Sequence, residues 1–414
     1  MSLNPTRTIE ELKELRALTA DENGAQRVAW TPIWREAREW FETKLAGLPV
    51  EHHYDAAGNS WTTLSGESEK VLILGGHIDS VPNGGWLDGS LDLLAGLAVL
   101  RRFSNEFHGR PPVTIRLVDW ADEEGARFGR SLLGSSAFAG TASIDADRGR
   151  TDKDGIRLED ALRSNGVEID YFHEAQRERK HAAAYLELHI EQGPVLERMG
   201  LPLATVLGTK GVERHAITFH GQEAHSGSTP MNARRDALAA AAKLALEIRT
   251  IARKHPDAVC TIGSVKTFPG IVTAVVGRCE ATLDQRDLDA AVLAQMYREA
   301  QEASRRFASE EQCPVEWSRI WNIEPVPFHP ALLNLCDEAI RETAGESHRM
   351  PSGPLHDAAE VARAGIPAVM LFVQSLRGIS HNKIEDTKEE HLELAVRALD
   401  RLASKAARWI VAPS

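Results

Sequence analysis

Four short apolar runs that break straight into polar residues constrain this chain more than any other feature. Val71, Leu72, Ile73 and Leu74 lead into Gly75, Gly76, His77, Ile78 and Asp79. The run 114–118 leads into Asp119, Trp120, Ala121, Asp122, Glu123 and Glu124, and the run 185–188 into His189, Ile190, Glu191 and Gln192. The run 368–373 comes shortly before Ser380, His381 and Asn382. Runs of this length, rich in β-branched residues and Leu, suit strands buried on both faces. Helical patterns lie between them. Leu91, Leu94, Leu97, Ala98 and Leu100 share a helix face, and Thr387 with Glu390 fits a capping box that opens a helix running to about Ile410. Strands alternating with helices imply a layered α/β fold, in which ligands collect beyond the carboxyl ends of the strands.

Residues 212–326 carry a different pattern. Strands are expected at 214–220, 259–267, 280–287 and 315–323, with helices at 233–254 and 289–310. The order β-α-β-β-α-β is the ferredoxin-like arrangement. The run 368–373 and His381 come after it, so this unit reads as an insertion. The expected domains are therefore 1–211 with 327–414, and 212–326.

The strand ends and adjoining loops hold His77, Asp79, Asp88, Glu123, Glu124, His189, Glu191 and His381. A lone histidine at a strand end is ordinarily a hydrogen-bonded structural residue, and a lone Glu-Glu pair is ordinarily a solvated face. Their joint occurrence at successive strand ends points to a metal site instead. Imidazole nitrogen and carboxylate oxygen suit Zn²⁺ and neighbouring divalent ions, and no thiolate stands among them. A two-metal site needs a bridging ligand, and Asp88, in a glycine-rich loop, is well placed for that. Asp79, two residues from His77, is expected to orient that imidazole from behind. Adjacent Glu123 and Glu124 repel each other when buried unless a cation compensates. One can hold a metal while the other takes a proton from water, a division that supplies a general base for hydrolysis. His52 and His53 read as surface residues, and His356 with Asp357 as a loop pair without a ligand role.

Composition narrows the partners. Lys and Arg number 48 against 60 Asp and Glu, a net charge of −12 with no basic stripe, so nucleic acid is not expected. The four cysteines are widely spaced and read as small buried hydrophobes in a reducing compartment. The first residues are polar without a signal-peptide core, and the apolar runs are far shorter than the ~18 residues of a membrane span. A soluble, cytoplasmic protein is expected.

The segments GGHIDSVPNGGWLDG (75–89), DWADEEGARFGRSLLGSSAF (119–138), ELHIEQGPVLE (187–197), GQEAHSGSTPMNARRDA (221–237), LDQRD (283–287) and GISHNKIEDT (378–387) follow one another along nearly the whole chain. In this order they resemble the amidase, hydantoinase and carbamoylase branch of the dinuclear metallopeptidases often called the M20 family. Members include N-carbamoyl-L-amino acid hydrolases, β-ureidopropionases and allantoate amidohydrolases. The resemblance implies a metallopeptidase-like catalytic domain with an inserted ferredoxin-like lid that makes a homodimer. It implies that His77, Asp88, Glu124, His189 and His381 ligate two divalent ions (zinc, manganese, cobalt or nickel), with Asp88 bridging. It implies that Glu123 is the general base, and that His225 polarises the scissile carbonyl or holds substrate. Gln192 and Arg286 match substrate-binding positions, with the Arg286 guanidinium taking the substrate carboxylate, a pairing its planar fork suits.

The substrate shell departs from the family pattern. Thr273 stands where an asparagine is common. Ser352, Gly353, Pro354 and Leu355 replace a loop usually built of small residues, with Pro354 removing a backbone N–H. Trp86 stands where a basic residue is frequent, and Lys383 where a proline is usual. These changes imply a substrate with a more apolar or aromatic body, Trp86 serving as a wall. The expected activity is hydrolysis of a linear carbamoyl or ureido amide, foremost of an N-carbamoyl-L-amino acid. The alternatives are an allantoate amidohydrolase or β-ureidopropionase, then a peptidase or aminoacylase on the same metals, and last a non-catalytic binding protein of this fold.

Overall fold

The apolar runs become the centre of one mixed sheet. Its strands lie in the order Leu203–Thr209, Ala368–Val373, Ala182–Ile190, Ser68–Gly76, Val113–Asp119, Ser60–Leu64 and Glu51–Tyr54, and Arg349–Ser352 pairs with the first of them. The four strands that bear or precede the candidate residues pair parallel to one another, and the outer pairings are antiparallel. Ala368–Val373 is buried along its whole length. Each buried Leu, Ile or Phe here contributes about 1.5–3 kcal/mol. One group of helices, Ser90–Glu106, Glu389–Val411, Pro5–Thr19 and Pro330–Ala344, packs together and onto the sheet. A second group joins Leu133–Ala139, Asp357–Arg363 and the 3₁₀ segment Ile169–Arg179. The computed structural model describes residues 2–412.

Register explains how separate sequence segments reach one place. Gly76 is paired with Asp119, Gly75 with Glu187, and Phe372 with His189. His77, the turn after Asp119 and His189 therefore leave the sheet at one level, on its carboxyl edge. Gly89 lets the chain turn there. Its φ is +65°, and a Cβ at that position would lie 2.3 Å from the His77 carbonyl oxygen. Only glycine allows the chain to leave Asp88 and start the helix against His77.

The chain divides into one unit up to Leu207 and from Phe328 onward, and a second unit, Gly208–Pro327. The second unit is an antiparallel sheet in the order Val259–Phe268, Arg278–Asp287, Gly211–His220 and Val315–Ile323. Helices Ala237–Ala252 and Ala290–Glu310 cover it around Ile217, Phe219, Leu244, Ile248, Leu283 and Met296. This is the β-α-β-β-α-β order. Its first helix is shorter than the expected 233–254. The Asp236 carboxylate accepts the N–H groups of Leu238 and Ala239 and starts the helix at Ala237, while Met231–Ala233 forms a separate 3₁₀ turn.

The capping box at Thr387 and Glu390 does not form. The Thr387 hydroxyl donates to the Gln374 carbonyl instead, and Glu389–Val411 begins after Lys388 without a side-chain cap. Among the described residues no helix is long and apolar enough to cross a membrane, and all four cysteines carry free thiols.

Candidate active site

Two donor sets meet at one carboxylate. The ligand atoms of His77, Asp88 and His189 lie within 4.8 Å of one another, and so do those of Asp88, Glu124 and His381. Asp88 Oδ1 is 3.7 Å from His77 Nε2 and 3.2 Å from His189 Nε2. Its Oδ2 is 3.5 Å from His381 Nε2, which lies 3.4 Å from Glu124 Oε2. Glu123 Oε2 stands 3.8 Å from His77 Nε2 and belongs to neither set. His77, Asp88, Glu123 and His189 are buried, whereas the His381 side chain is half exposed, in a loop beyond strand Ala368–Val373.

The donor chemistry fits a divalent cation in each set. His77 Nδ1 donates to the Asp79 carbonyl at 3.1 Å and His189 Nδ1 to the Ile190 carbonyl at 2.8 Å. With Nδ1 so fixed, each ring turns its Nε2 toward the Asp88 carboxylate, where a proton or a metal cation has to stand between the two. Two ligands at about 2.1 Å from a tetrahedral ion lie about 3.4 Å apart, in the range of the donor spacings here.

Charge points the same way. Burial raises the Glu123 carboxyl well above its usual range, against the opposing His77 and helped by Asp357 and Glu124. Burial, then the Asp88 charge, pushes Glu124 up to about 8. Burial also acts to raise Asp88, but His189, His77 and His381 overcome it and hold that carboxyl well below the carboxylate range. Burial works to lower both inner imidazoles, yet the surrounding carboxylates hold His77 and His189 well above the usual histidine value. A cluster so rich in buried acid favours a cation.

Three neighbours of the cluster have partners of their own. Asp79 presents its backbone carbonyl to His77, with its carboxylate farther off at 3.5 Å. That carboxylate accepts the Glu123 and Glu124 N–H groups, one on each oxygen, at 3.2 Å. Glu191 is no ligand; it accepts the N–H groups of Val195 and Leu196 and so secures the helix Val195–Met199. Trp86 is no open wall. It is 7% exposed, bonded through Nε1 to Asp386 at 3.3 Å, with the Arg16 guanidinium 5.9 Å from its ring.

Gln192 joins the cluster. Its amide donates to Asp88 Oδ2 at 2.8 Å and to Ser380 Oγ at 3.1 Å. Ser352 is buried, donates to the Pro354 carbonyl at 2.9 Å and meets His356 Nε2 at 2.9 Å. The His356 ring then packs edge-on against His189 at 4.3 Å. His356, which reads from the sequence as a loop residue without a ligand role, thus packs against a candidate ligand, and Gly353 and Pro354 form a bend beside it. Burial, followed by the charge of His189, keeps His356 well below the usual histidine value.

Glu385 was missed altogether. It accepts the N–H groups of Leu87 and Asp88 at 3.1 Å and a bond from Ser380 at 3.0 Å, tying the Asp88 loop to the His381 loop. The sequence signal was its place four residues after His381 in the segment already singled out.

In the second unit, His225 and Thr273 come together. His225 pairs with Ala274, and the Ser226 N–H donates to the Thr273 carbonyl at 2.9 Å. Both residues are exposed, and His225 Nδ1 accepts from Gly227. Arg286 is not brought to them. It is ion-paired with Asp284 at 2.9 Å and lies at the far end of Arg278–Asp287. Arg278, at the near end, is eight residues away, roughly 26 Å along a strand.

A family model described as peptidase family M20/M25/M40 matches residues 73–405. The N-carbamoyl-L-amino acid amidohydrolase of Geobacillus stearothermophilus is 35% identical over 370 residues, covering 89% of this chain and 90% of that one. The allantoate amidohydrolase of Bacillus subtilis is 32% identical over 389 residues, with 93% of each chain covered. A solved amidase of the hydantoinase/carbamoylase family from Burkholderia multivorans superposes with a TM-score of 0.87 at 31% identity, covering 98% of both chains.

Proposed function

The chain belongs to peptidase family M20/M25/M40 and hydrolyses non-peptide carbon–nitrogen bonds of carbamoyl or ureido amides, and we propose that its substrate is an N-carbamoyl-L-amino acid. The observation that carries this reading is the sharing of Asp88 by two donor sets, with Glu123 beside them and outside both. His77, Asp88 and His189 would hold one divalent ion, and Asp88, Glu124 and His381 a second, drawn from zinc, manganese, cobalt or nickel. Such ions, when bound, acidify water and polarise a carbonyl oxygen. Glu123 takes the proton from the attacking water and passes it to the leaving nitrogen. His225 supports the developing charge on the carbonyl oxygen. Gln192 steadies the Asp88 carboxylate and contributes to the substrate pocket. Arg286 receives the substrate carboxylate, and Thr273 and the 352–355 segment line the substrate's path. The products are an amino acid, ammonia and carbon dioxide.

A homodimer built through the second unit accompanies this reading. His225 lies on a separate two-stranded ladder with Ala274, and Arg286 at the far end of Arg278–Asp287 in the four-stranded sheet, so two chains would each supply one of them to a site. The edge strands Val259–Phe268 and Val315–Ile323 also expose Val259, Val265, Ile320 and Trp321, the kind of edge a second copy covers.

The test is ammonia release by protein loaded with Mn²⁺, Co²⁺ or Zn²⁺ on a panel of N-carbamoyl-L-amino acids, allantoate, 3-ureidopropionate, N-acyl amino acids and dipeptides. The reading expects ammonia and amino acid in equal amounts, fastest from N-carbamoyl-L-amino acids with apolar side chains. Faster turnover of allantoate or 3-ureidopropionate reassigns the substrate. Turnover of acyl amino acids without ammonia replaces the reading with a peptidase or aminoacylase. No turnover with any metal makes the chain a binding protein.

A further inference from the structure

We infer that Trp30 is a positioning residue for Glu123, acting through Asp122; this rests on Glu123 being the general base. Trp30 Nε1 donates to Asp122 Oδ2 at 2.7 Å, across 92 residues of sequence. The two residues are only 3% and 1% exposed. Each sits in the left-handed region, with φ of +64° for Trp30 and +60° for Asp122. That conformation is strained for a side chain as bulky as indole, and it persists only where the surroundings over-determine it.

The surroundings do so on both sides. Trp30 directly precedes Thr31, whose hydroxyl accepts the Trp34 N–H and caps the helix Pro32–Thr43. The Trp30 carbonyl accepts from Arg127 at 2.7 Å, and its ring packs on Trp34 with centroids 4.8 Å apart. The indole is thus carried on a fixed support. On the other side, the turn that presents Glu123 is held from behind by backbone bonds. The Asp122 and Glu123 carbonyls accept from Leu133 and Leu132, and the Glu123 N–H donates to Asp79. The indole bond holds the same turn by a side chain, one residue before Glu123.

Trp30 belongs to neither donor set, so its removal should act on where Glu123 points and leave the metals in place. A base displaced by even 1 Å from its proton loses about 10²-fold in rate, and loss of a single tether should cost less.

The test compares W30F, D122N, D122A and E123Q as full chains, on the N-carbamoyl amino acid turned over fastest in the panel above, with bound metal measured by elemental analysis. W30F keeps an aromatic ring but removes the indole N–H together with part of the buried ring, so the contrast between D122N and D122A, which leaves the indole whole, controls for the lost packing. W30F should lower kcat about ten-fold, with KM within about two-fold and metal content unchanged. D122N keeps an acceptor oxygen for the indole and should stay close to wild type. D122A should match W30F, and the W30F/D122A double variant should lose no more than either single one. If W30F fails to fold, the contrast between D122N and D122A carries the same comparison. Wild-type kcat in both W30F and D122A, additive losses in the double variant, or a fall in metal content or rise in KM that accounts for the loss would overturn the inference. E123Q separates the two levels. If it retains wild-type kcat, the reading of Glu123 as base fails and the inference with it; if it is inactive while W30F and D122A are both normal, the inference alone fails.

Discussion

Replacing Asp79 by Asn changes almost no volume yet alters two bonds that shape the turn at Glu123 and Glu124. The carboxylate accepts one N–H on each oxygen, both at 3.2 Å, and is fully buried. Asparagine offers one oxygen, and its NH₂ then faces the other N–H, donor to donor. One bond to a charged acceptor is lost, worth about 1.5–3 kcal/mol. If that displacement falls on Glu123, kcat drops roughly 10–100-fold. Global stability is a poorer reading, because the Asp79 charge also raises the Glu123 and Glu124 carboxyls and its removal relieves that repulsion. The assay is steady-state ammonia release with elemental analysis of bound metal. The set of His77, Asp88 and His189 should keep its ion, since His77 leans on the Asp79 backbone carbonyl, which the substitution preserves. A kcat within about two-fold of wild type would refute the reasoning. Loss of that ion would show that Asp79 acts through His77 instead, as second-sphere partners of ligating histidines do.

Arg38, Asp337 and Arg286 each give a further outcome to measure. Arg38→Met should cost about 3–5 kcal/mol in urea denaturation, because it strands the buried Asp119 carboxylate that Arg38 Nε meets at 2.6 Å and removes the guanidinium that stacks over the Trp34 ring; a cost below about 1 kcal/mol contradicts this. Burial tends to raise the Asp337 carboxyl, but bonds from Thr205, Ser347 and Arg349 hold it below the usual range. Its contribution is therefore complete above about pH 4 and lost as pH falls through the lowered value, so the stability gap between wild type and D337N should close below pH ~4 and stay open above it. Arg286→Ala should reduce kcat/KM by roughly 2–5 kcal/mol on carboxylate substrates; an unchanged kcat/KM on every acid turned over removes Arg286 from substrate binding.

What the sequence made legible was local. His77 and His189 end buried apolar runs, and parallel pairing with aligned register carries them to one sheet edge, so strand position alone brought them together. Asp88 was legible for the same reason, through the short glycine-rich loop after His77. Contacts made across the chain were not. The bond from the Asp88 N–H to Glu385 spans 297 residues, and that from Trp30 to Asp122 spans 92. No periodicity or spacing records such pairs. Side-chain choice among equal options was hidden too. Thr387 carries a cap residue's hydroxyl but spends it on Gln374, and Trp86 could face a substrate but turns to Asp386. The Asp79 carboxylate had two candidate partners within reach, and only the fold decided that the Glu123 and Glu124 N–H groups take it at hydrogen-bond distance.

The sharing of Asp88 between two donor sets is tested most directly by counting metal. Wild-type protein and Asp88→Ala, both folded by circular dichroism, are loaded with excess Zn²⁺ or Mn²⁺, desalted and assayed by elemental analysis. The account predicts two ions per wild-type chain and loss from both sets in the variant, because one carboxylate faces His77 and His189 with one oxygen and His381 with the other. Full retention of both ions in Asp88→Ala, or loss of only one, would contradict it.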